Sequence, residues 1–189
     1  MTAAIDVIVV AHNSGALLAD CVARALRDPA VASLTVVDNA SDDGSLAALA
    51  AIDDTRLRIE PLGRNAGFAV ACNRGAGRGG ASWLVFLNPD ALVEADSLSR
   101  LQGLAEADPR IGLIGADVRD ANGTRERAAR RRDPSLSRLL TTQLARLPGG
   151  ASFAASSLEL PVRDESLSAV DATSGAVMML PRALFQAIG

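Results

Sequence analysis

An apolar run that stops at a proline is the strongest constraint on how this chain folds. Trp83-Leu84-Val85-Phe86-Leu87 suits a central strand covered on both faces. Pro89 cannot donate to a ladder, so the strand must finish there and deliver one carboxylate, Asp90, just past its carboxyl end. Open α/β sheets bind their ligands at that edge. Asp90 is therefore expected to hold a divalent metal against a diphosphate. The plainer reading is an Asp that ends a strand and caps the helix after it.

Other short runs frame this one. Ile5-Asp6-Val7-Ile8-Val9-Val10 is β-branched and predicts a first strand, followed by a turn, Ala11 to Gly15, with Asn13 or Ser14 available as a helix cap. Leu17, Leu18, Cys21, Val22 and Ala25 recur at helical spacing. Strands are expected at Leu34–Val37, Leu57–Glu60 and Ile111–Val118, and helices at Leu46–Ile52, Phe68–Arg74 and Ala95–Leu104. Strand and helix alternate, which predicts a mainly parallel sheet with helices on both faces. After Asp120 the register changes. Asn122-Gly123 signals a tight turn, Ser135–Leu147 a helix, and Pro148–Ser157 a loop. Val170–Leu180 reads as a strand broken at Ser174-Gly175, and Pro181 opens a last helix.

The 189 residues suit one domain, and the formal net charge of −3 supplies no overall positive field for nucleic acid. Two cysteines and one histidine make neither a disulfide framework nor a zinc set. Neither a membrane span nor a signal peptide is legible, so a cytoplasmic, reducing setting is the expectation. The basic run Arg125–Arg132 would attract an anionic acceptor or membrane headgroups, or would be a solvated face; its first use implies peripheral association at the inner face of the membrane.

Asp38, after Val36-Val37, is a second acid at a strand end. Paired with Asp90 it suggests a nucleotide site, one acid for base or ribose and one for a phosphate-bound metal. Gly75 to Gly80 matches G-x-G-x-x-G but follows a helix and precedes a strand, the reverse of a dinucleotide loop, so it is read as a flexible turn.

Taken together, these segments resemble the family-2 inverting glycosyltransferases of GT-A fold, especially the rhamnosyltransferase-like branch. The resemblance rests on Val7–Ser14, Val36–Ser45, Asn65-Ala66-Gly67-Phe68 with Asn73-Arg74-Gly75, Phe86–Asp90, and Val170–Ala176 with Pro181-Arg182. It implies one GT-A domain over 1–189, with 1–118 the nucleotide-binding half and 119–189 the start of an acceptor-side half. It implies that Asp38 binds the base or ribose, with Ala11, His12 and Asn13 lining the same pocket. Asn65, Gly67 and Arg74 would flank the nucleotide and diphosphate, Asn88 would stand where many relatives place a first acid, and Asp90 would ligate Mg²⁺ or Mn²⁺. Ser174, Gly175 and Ala176 would line the donor-sugar or acceptor side. The implied partners are a nucleoside-diphosphate sugar (dTDP- or UDP-linked, with rhamnose favoured by the branch) and a glycan or lipid-linked acceptor.

Two departures qualify the resemblance. His12 replaces the usual Tyr, and the family's catalytic-base motif is expected beyond Gly189, so the chain is expected to bind a donor while lacking its base. The competing reading is a non-catalytic nucleotide- or carbohydrate-binding module; an NAD-dependent oxidoreductase is disfavoured by the misplaced glycines.

Overall fold

The first strand, β1 (Ile5–Ala11), is buried at all seven positions, as a β-branched run must be when both its faces are covered. In this computed structural model residues 4–120, 122–125, 130–131, 143 and 167–188 are described. The expected helix over Ser135–Leu147, apart from Gln143, and the expected loop over Pro148–Ser157 lie outside them. By proximity the chain divides into two compact units, Met1–Gly115 with Gly175–Gly189, and Ala116–Ser174.

In the first unit, β1 is followed by α1 (Leu17–Ala25), β2 (Val31–Asp38), a 3₁₀ helix (Ser45–Ala51), β3 (Leu57–Pro61), α2 (Phe68–Ala76), β4 (Trp83–Leu87), α3 (Ser97–Ala107) and β5 (Ile114–Gly115). In the second unit, β6 (Arg130–Arg131) pairs antiparallel with β7 (Ala172–Thr173). Then β8 (Val177–Pro181) and α4 (Arg182–Ile188) return to the first unit. Its six-stranded sheet has the order β3-β2-β1-β4-β8-β5. β1, β2, β3 and β4 run parallel, and β8 is antiparallel to both β4 and β5. The sheet is mostly parallel with helices packed on it, as expected.

Strand alternation divides the core. Ile8, Val10, Val37, Leu84, Phe86 and Leu180 pack with Ala71, Cys72 and Ala76 of α2, and Phe185 of α4 joins them. The Phe86 and Phe185 rings lie 5.5 Å apart between centroids. Residues of the other parity, Val7, Val9, Val36 and Val85, are equally buried. Gly75 is what lets α2 settle so deeply: a Cβ there would stand 2.5 Å from Ile8 Cγ2. Gly79 is tighter still, since a Cβ would come within 2.1 Å of Asp6 Oδ2. The glycine-rich stretch thus carries the chain from the end of α2 toward β4, as expected, with close packing at Gly75 and Gly79.

Three local expectations change. The helix expected at Leu46–Ile52 is a 3₁₀ helix, Ser45–Ala51, because Leu46, Leu49 and Ile52 recur every three residues, the 3₁₀ period. The strand expected at Ile111–Val118 shrinks to Ile114–Gly115; glycines at 112 and 115 leave little side chain to hold a ladder at a sheet edge. The strand expected at Val170–Leu180 is split as foreseen, into β7 and β8, on either side of Ser174-Gly175. Asn122-Gly123 does turn the chain: the Gly123 N–H donates to the Asp120 carbonyl at 2.9 Å, and Arg119 bridges Arg125 across it. Among the described residues no helix is long and apolar enough to cross a membrane.

Candidate functional site

Parallel strands end on the same side, and the loops leaving them form one rim. Ala11 closes β1 opposite Asp38 of β2, which lies opposite Pro61 of β3. From β1 the chain moves to β2 on one side and later fills the other side with β4. The crevice above the β1 and β4 ends is therefore a topological switch point, where departing loops diverge and leave room for a ligand.

Hydrogen bonds lace the rim. Asp38 is buried, and its Oδ1 accepts the Ser41 N–H at 2.9 Å. Asn13 stands in the left-handed region, at φ 52°. Its Oδ1 accepts the Asp42 N–H at 2.9 Å, and its own N–H donates to Ser41 Oγ at 3.2 Å. The Gly15 N–H reaches the Asp43 carboxylate at 2.9 Å, and hydrogen bonds from Ser45 and then Gly15 hold that carboxyl below its usual range. These bonds correct one expectation. Neither Asn13 nor Ser14 caps α1, which starts behind Ala16 with no side-chain cap, because Asn13 braces the neighbouring loop and Ser14 Oγ accepts the His12 N–H at 3.2 Å. His12 itself is exposed.

The β3–α2 loop joins through Asn39, a residue to which sequence reasoning gave no role. Its Nδ2 donates to Asn65 Oδ1 at 2.9 Å, and its Oδ1 accepts the Ala66 N–H at 2.7 Å. Asn65 Oδ1 also accepts the Gly67 N–H at 3.1 Å. The Asn39 N–H donates to the Ala11 carbonyl at 2.8 Å. Ala11, Asn13, Asp38, Asn65 and Gly67 thus belong to one connected rim. The available signal for Asn39 was its place beside Asp38 in a quoted motif.

On the β4 side, the Asn88 N–H donates to the Ala176 carbonyl at 2.9 Å, which brings Ala176 to the strand tip. Cys21 of α1 donates its thiol to the Asn88 carbonyl at 3.4 Å. Burial, and then the negative charge of Asp90, push the Cys21 thiol up to about 12. Asp90 is exposed beyond this anchored turn. The plainer reading of Asp90 as a helix cap does not hold, since α3 begins behind Asp96 and its first turn is bound by Asp28. Among the described residues no three His, Cys, Asp or Glu side chains converge into a protein-made metal cage. One exposed carboxylate instead suits a hard cation that brings water and phosphate oxygens for its other positions, as Mg²⁺ and Mn²⁺ do.

Residues 6–167 match the family described as Glycosyl transferase family 2. The chain belongs to that family. It is 33% identical over 143 residues to the succinoglycan biosynthesis protein ExoO of Rhizobium meliloti (strain 1021), covering 75% of this chain and 38% of that protein. It is 31% identical over 150 residues to the N-acetylglucosaminyl-diphospho-decaprenol L-rhamnosyltransferase of Mycobacterium tuberculosis (strain CDC 1551 / Oshkosh), covering 73% of this chain and 48% of that protein. The chain therefore spans less than half the length of either relative. Its fold is similar to that of a mannosyltransferase, PcManGT from Pyrobaculum calidifontis, in complex with GDP-Man and Mn²⁺. The TM-score is 0.67 at 20% identity, covering 100% of this chain and 47% of that one. S. aureus TarS 1-349 gives 0.62 at 14% identity, covering 100% and 49%.

Some residues singled out by resemblance to this glycosyltransferase family stand outside the rim's hydrogen bonds. Arg74 pairs with Glu60 on the outer strand β3, its Nη2 at 2.7 Å, and Arg78 binds the same carboxylate. Together they hold Glu60 below its usual range, Arg78 contributing more. The structure thus gives the Arg74 guanidinium a partner other than a diphosphate. Ser174 closes the second unit, and Gly175 opens the return to the first, where it is exposed. In the basic run, Arg125 is paired with Asp117 at 2.9 Å, so part of its charge is offset within the second unit. Arg130 and Arg131 form β6, and the other arginines of the run lie outside the described residues.

Proposed function

We propose that this family-2 glycosyltransferase chain holds the nucleoside-diphosphate end of an activated sugar at the rim above β1, β2 and β4. The observation that carries the reading is the switch point between β1 and β4, with a buried acid, Asp38, at the end of β2 and an exposed acid, Asp90, just past β4. Asp38 retains a second carboxylate oxygen to accept from a base N–H or a ribose hydroxyl, with Ala11, His12 and Asn13 beside it. Asn65 and Gly67 border the same pocket. Asp90 would hold Mg²⁺ or Mn²⁺, which supplies neutralising charge for a departing diphosphate. Asn88 and Ala176 fix the turn that presents Asp90, and Gly175, exposed next to Ala176, would line the sugar or acceptor side.

The reaction in this proposal is transfer of the sugar, with inversion at its anomeric carbon, to a hydroxyl of a glycan or lipid-linked acceptor. The Mycobacterium relative, named as an L-rhamnosyltransferase, supports a rhamnosyl donor, here proposed as dTDP- or UDP-linked. The PcManGT neighbour, solved with GDP-Man and Mn²⁺, supports a metal-assisted diphosphate site. No described residue is assigned the general base that must take the acceptor's proton.

Titration calorimetry with UDP, dTDP, GDP and NAD, with and without Mn²⁺, tests this reading. A pyrimidine diphosphate is expected to bind with Mn²⁺, and Asp90→Ala to weaken that binding by about 1.5–3 kcal/mol, tenfold or more. Metal-independent NAD binding, with no response to the pyrimidine diphosphates, would sink it.

A further inference from the structure

Two backbone donors fix the orientation of two side-chain amides on the rim. A backbone N–H can only donate, so the Ala66 N–H, 2.7 Å from Asn39, must meet the Asn39 Oδ1. That turns the Asn39 Nδ2 toward Asn65, at 2.9 Å, and requires an acceptor there. The Gly67 N–H, 3.1 Å from the same Asn65 atom, independently requires an acceptor. Both constraints give Asn65 one orientation: Oδ1 faces the protein and takes two donors. Its Nδ2 has no partner among the described residues, and the residue is exposed. Asn39, in contrast, is 4% exposed, and its N–H holds it to the Ala11 carbonyl at 2.8 Å.

We infer that Asn39 is a positioning residue for the nucleotide: it locks the Asn65 amide so that its NH₂ is presented as a donor to an oxygen of a nucleoside diphosphate. This rests on the reading of the rim as a nucleotide site. Asn39 touches no ligand in this arrangement and acts only through Asn65. The choice of Asn over Asp at position 39 follows from the same geometry. An Asp there could still accept the Ala66 N–H, but it would have no hydrogen to give Asn65. The Asn65 amide would then rotate to donate inward, the Gly67 N–H would lose its acceptor, and an oxygen would face the ligand's oxygens. A donor would have become an acceptor.

The test is a binding cycle by calorimetry with UDP and dTDP on the 189-residue chain, using Asn39→Asp, Asn65→Ala and the double variant, with melting curves recorded for each. Asn39→Asp is expected to weaken binding by about tenfold or more in the parent chain, and by less than about twofold once Asn65 is Ala. Adding UDP to the parent is also expected to shift the Asn65 side-chain NH₂ resonances, a signal that a merely structural role would leave in place. An equal loss in both backgrounds would assign the effect to loop packing or to the new charge, and would overturn the inference; so would unchanged binding by Asn39→Asp. If that variant does not fold, Asn65→Ala alone decides: affinity retained overturns the inference, and a tenfold loss with unchanged melting supports it. A parent chain that binds neither UDP nor dTDP overturns the nucleotide reading itself, and this inference with it.

Discussion

Replacing Arg182 with alanine is expected to remove about 3–5 kcal/mol of folding stability, the scale of breaking one side of a buried ion pair. The Arg182 Nη2 lies 2.6 Å from Asp6 Oδ2, and the two side chains are only 15% and 6% exposed. The guanidinium also donates to the Ala81 and Ala76 carbonyls, each at 2.7 Å. Asp6 in turn accepts from Ser33 Oγ at 2.6 Å and the Ala81 N–H at 2.8 Å. Removing Arg182 strands a buried carboxylate in the first strand and two carbonyls at the turn into β4. Urea unfolding measures the loss, and a change below about 1 kcal/mol would mean that the pair is not formed in solution. Asp6→Ala combined with Arg182→Ala should cost less than the sum of the single changes, because neither charge is then left alone. Gly79→Ala probes the same cluster from its other side: a methyl within 2.1 Å of Asp6 Oδ2 must displace a carboxylate held by three donors.

Asp28→Ala is expected to cost about 3–4 kcal/mol, several buried donors losing their acceptor at once. Asp28 is 1% exposed and lies just beyond α1, yet its carboxylate serves α3. Its Oδ2 accepts the N–H groups of Leu98 and Ser99 at 3.0 and 2.9 Å, and its Oδ1 accepts the Ser99 hydroxyl and the Ala30 N–H, the latter at 3.1 Å. Asp96, the residue before α3, makes no side-chain cap of its own and sits at φ 61°. The helix start therefore depends on a distant carboxylate, which also favours the positive end of the helix dipole. Amide hydrogen exchange should show α3 loosening in Asp28→Ala while β1 and β2 stay protected. Equal loosening everywhere would argue against a local cap.

These two carboxylates mark where the sequence stops being legible. Strand tips could be read because their signals are local: Pro89 ends a run, and Asp38 closes a β-branched one. The parallel order followed from alternation of strand and helix. Asp6 and Asp28 gave no such sign, since an Asp in a β-branched run or after a helix is ordinary, and their partners are 176 and 70 residues away. The rim was half legible. Asp38, Asn65 and Gly67 stood out by motif, while Asn39's part depends on two amide orientations that only the folded loops impose. The ion pair of Arg74 was hidden for a related reason: its motif position says nothing of Glu60, brought beside it by the edge strand β3.

The placement of β8 between β4 and β5 has a consequence for how the molecule is made. A ribosome delivers β1 to β4 early, and with α2 already made they can dock as soon as β4 emerges. Strand β4 then has one open edge, apolar along its whole length, and Asp6 has no counterion. Both wait until the intervening unit, Ala116–Ser174, has been synthesised and Val177–Arg182 follows. An unpaired apolar edge invites pairing with another nascent chain, and closure over so long a separation is slow. Arg182 is thus a latch on assembly as well as a stabiliser of the finished sheet, and weakening it should lower the soluble yield as well as the melting temperature of what does fold.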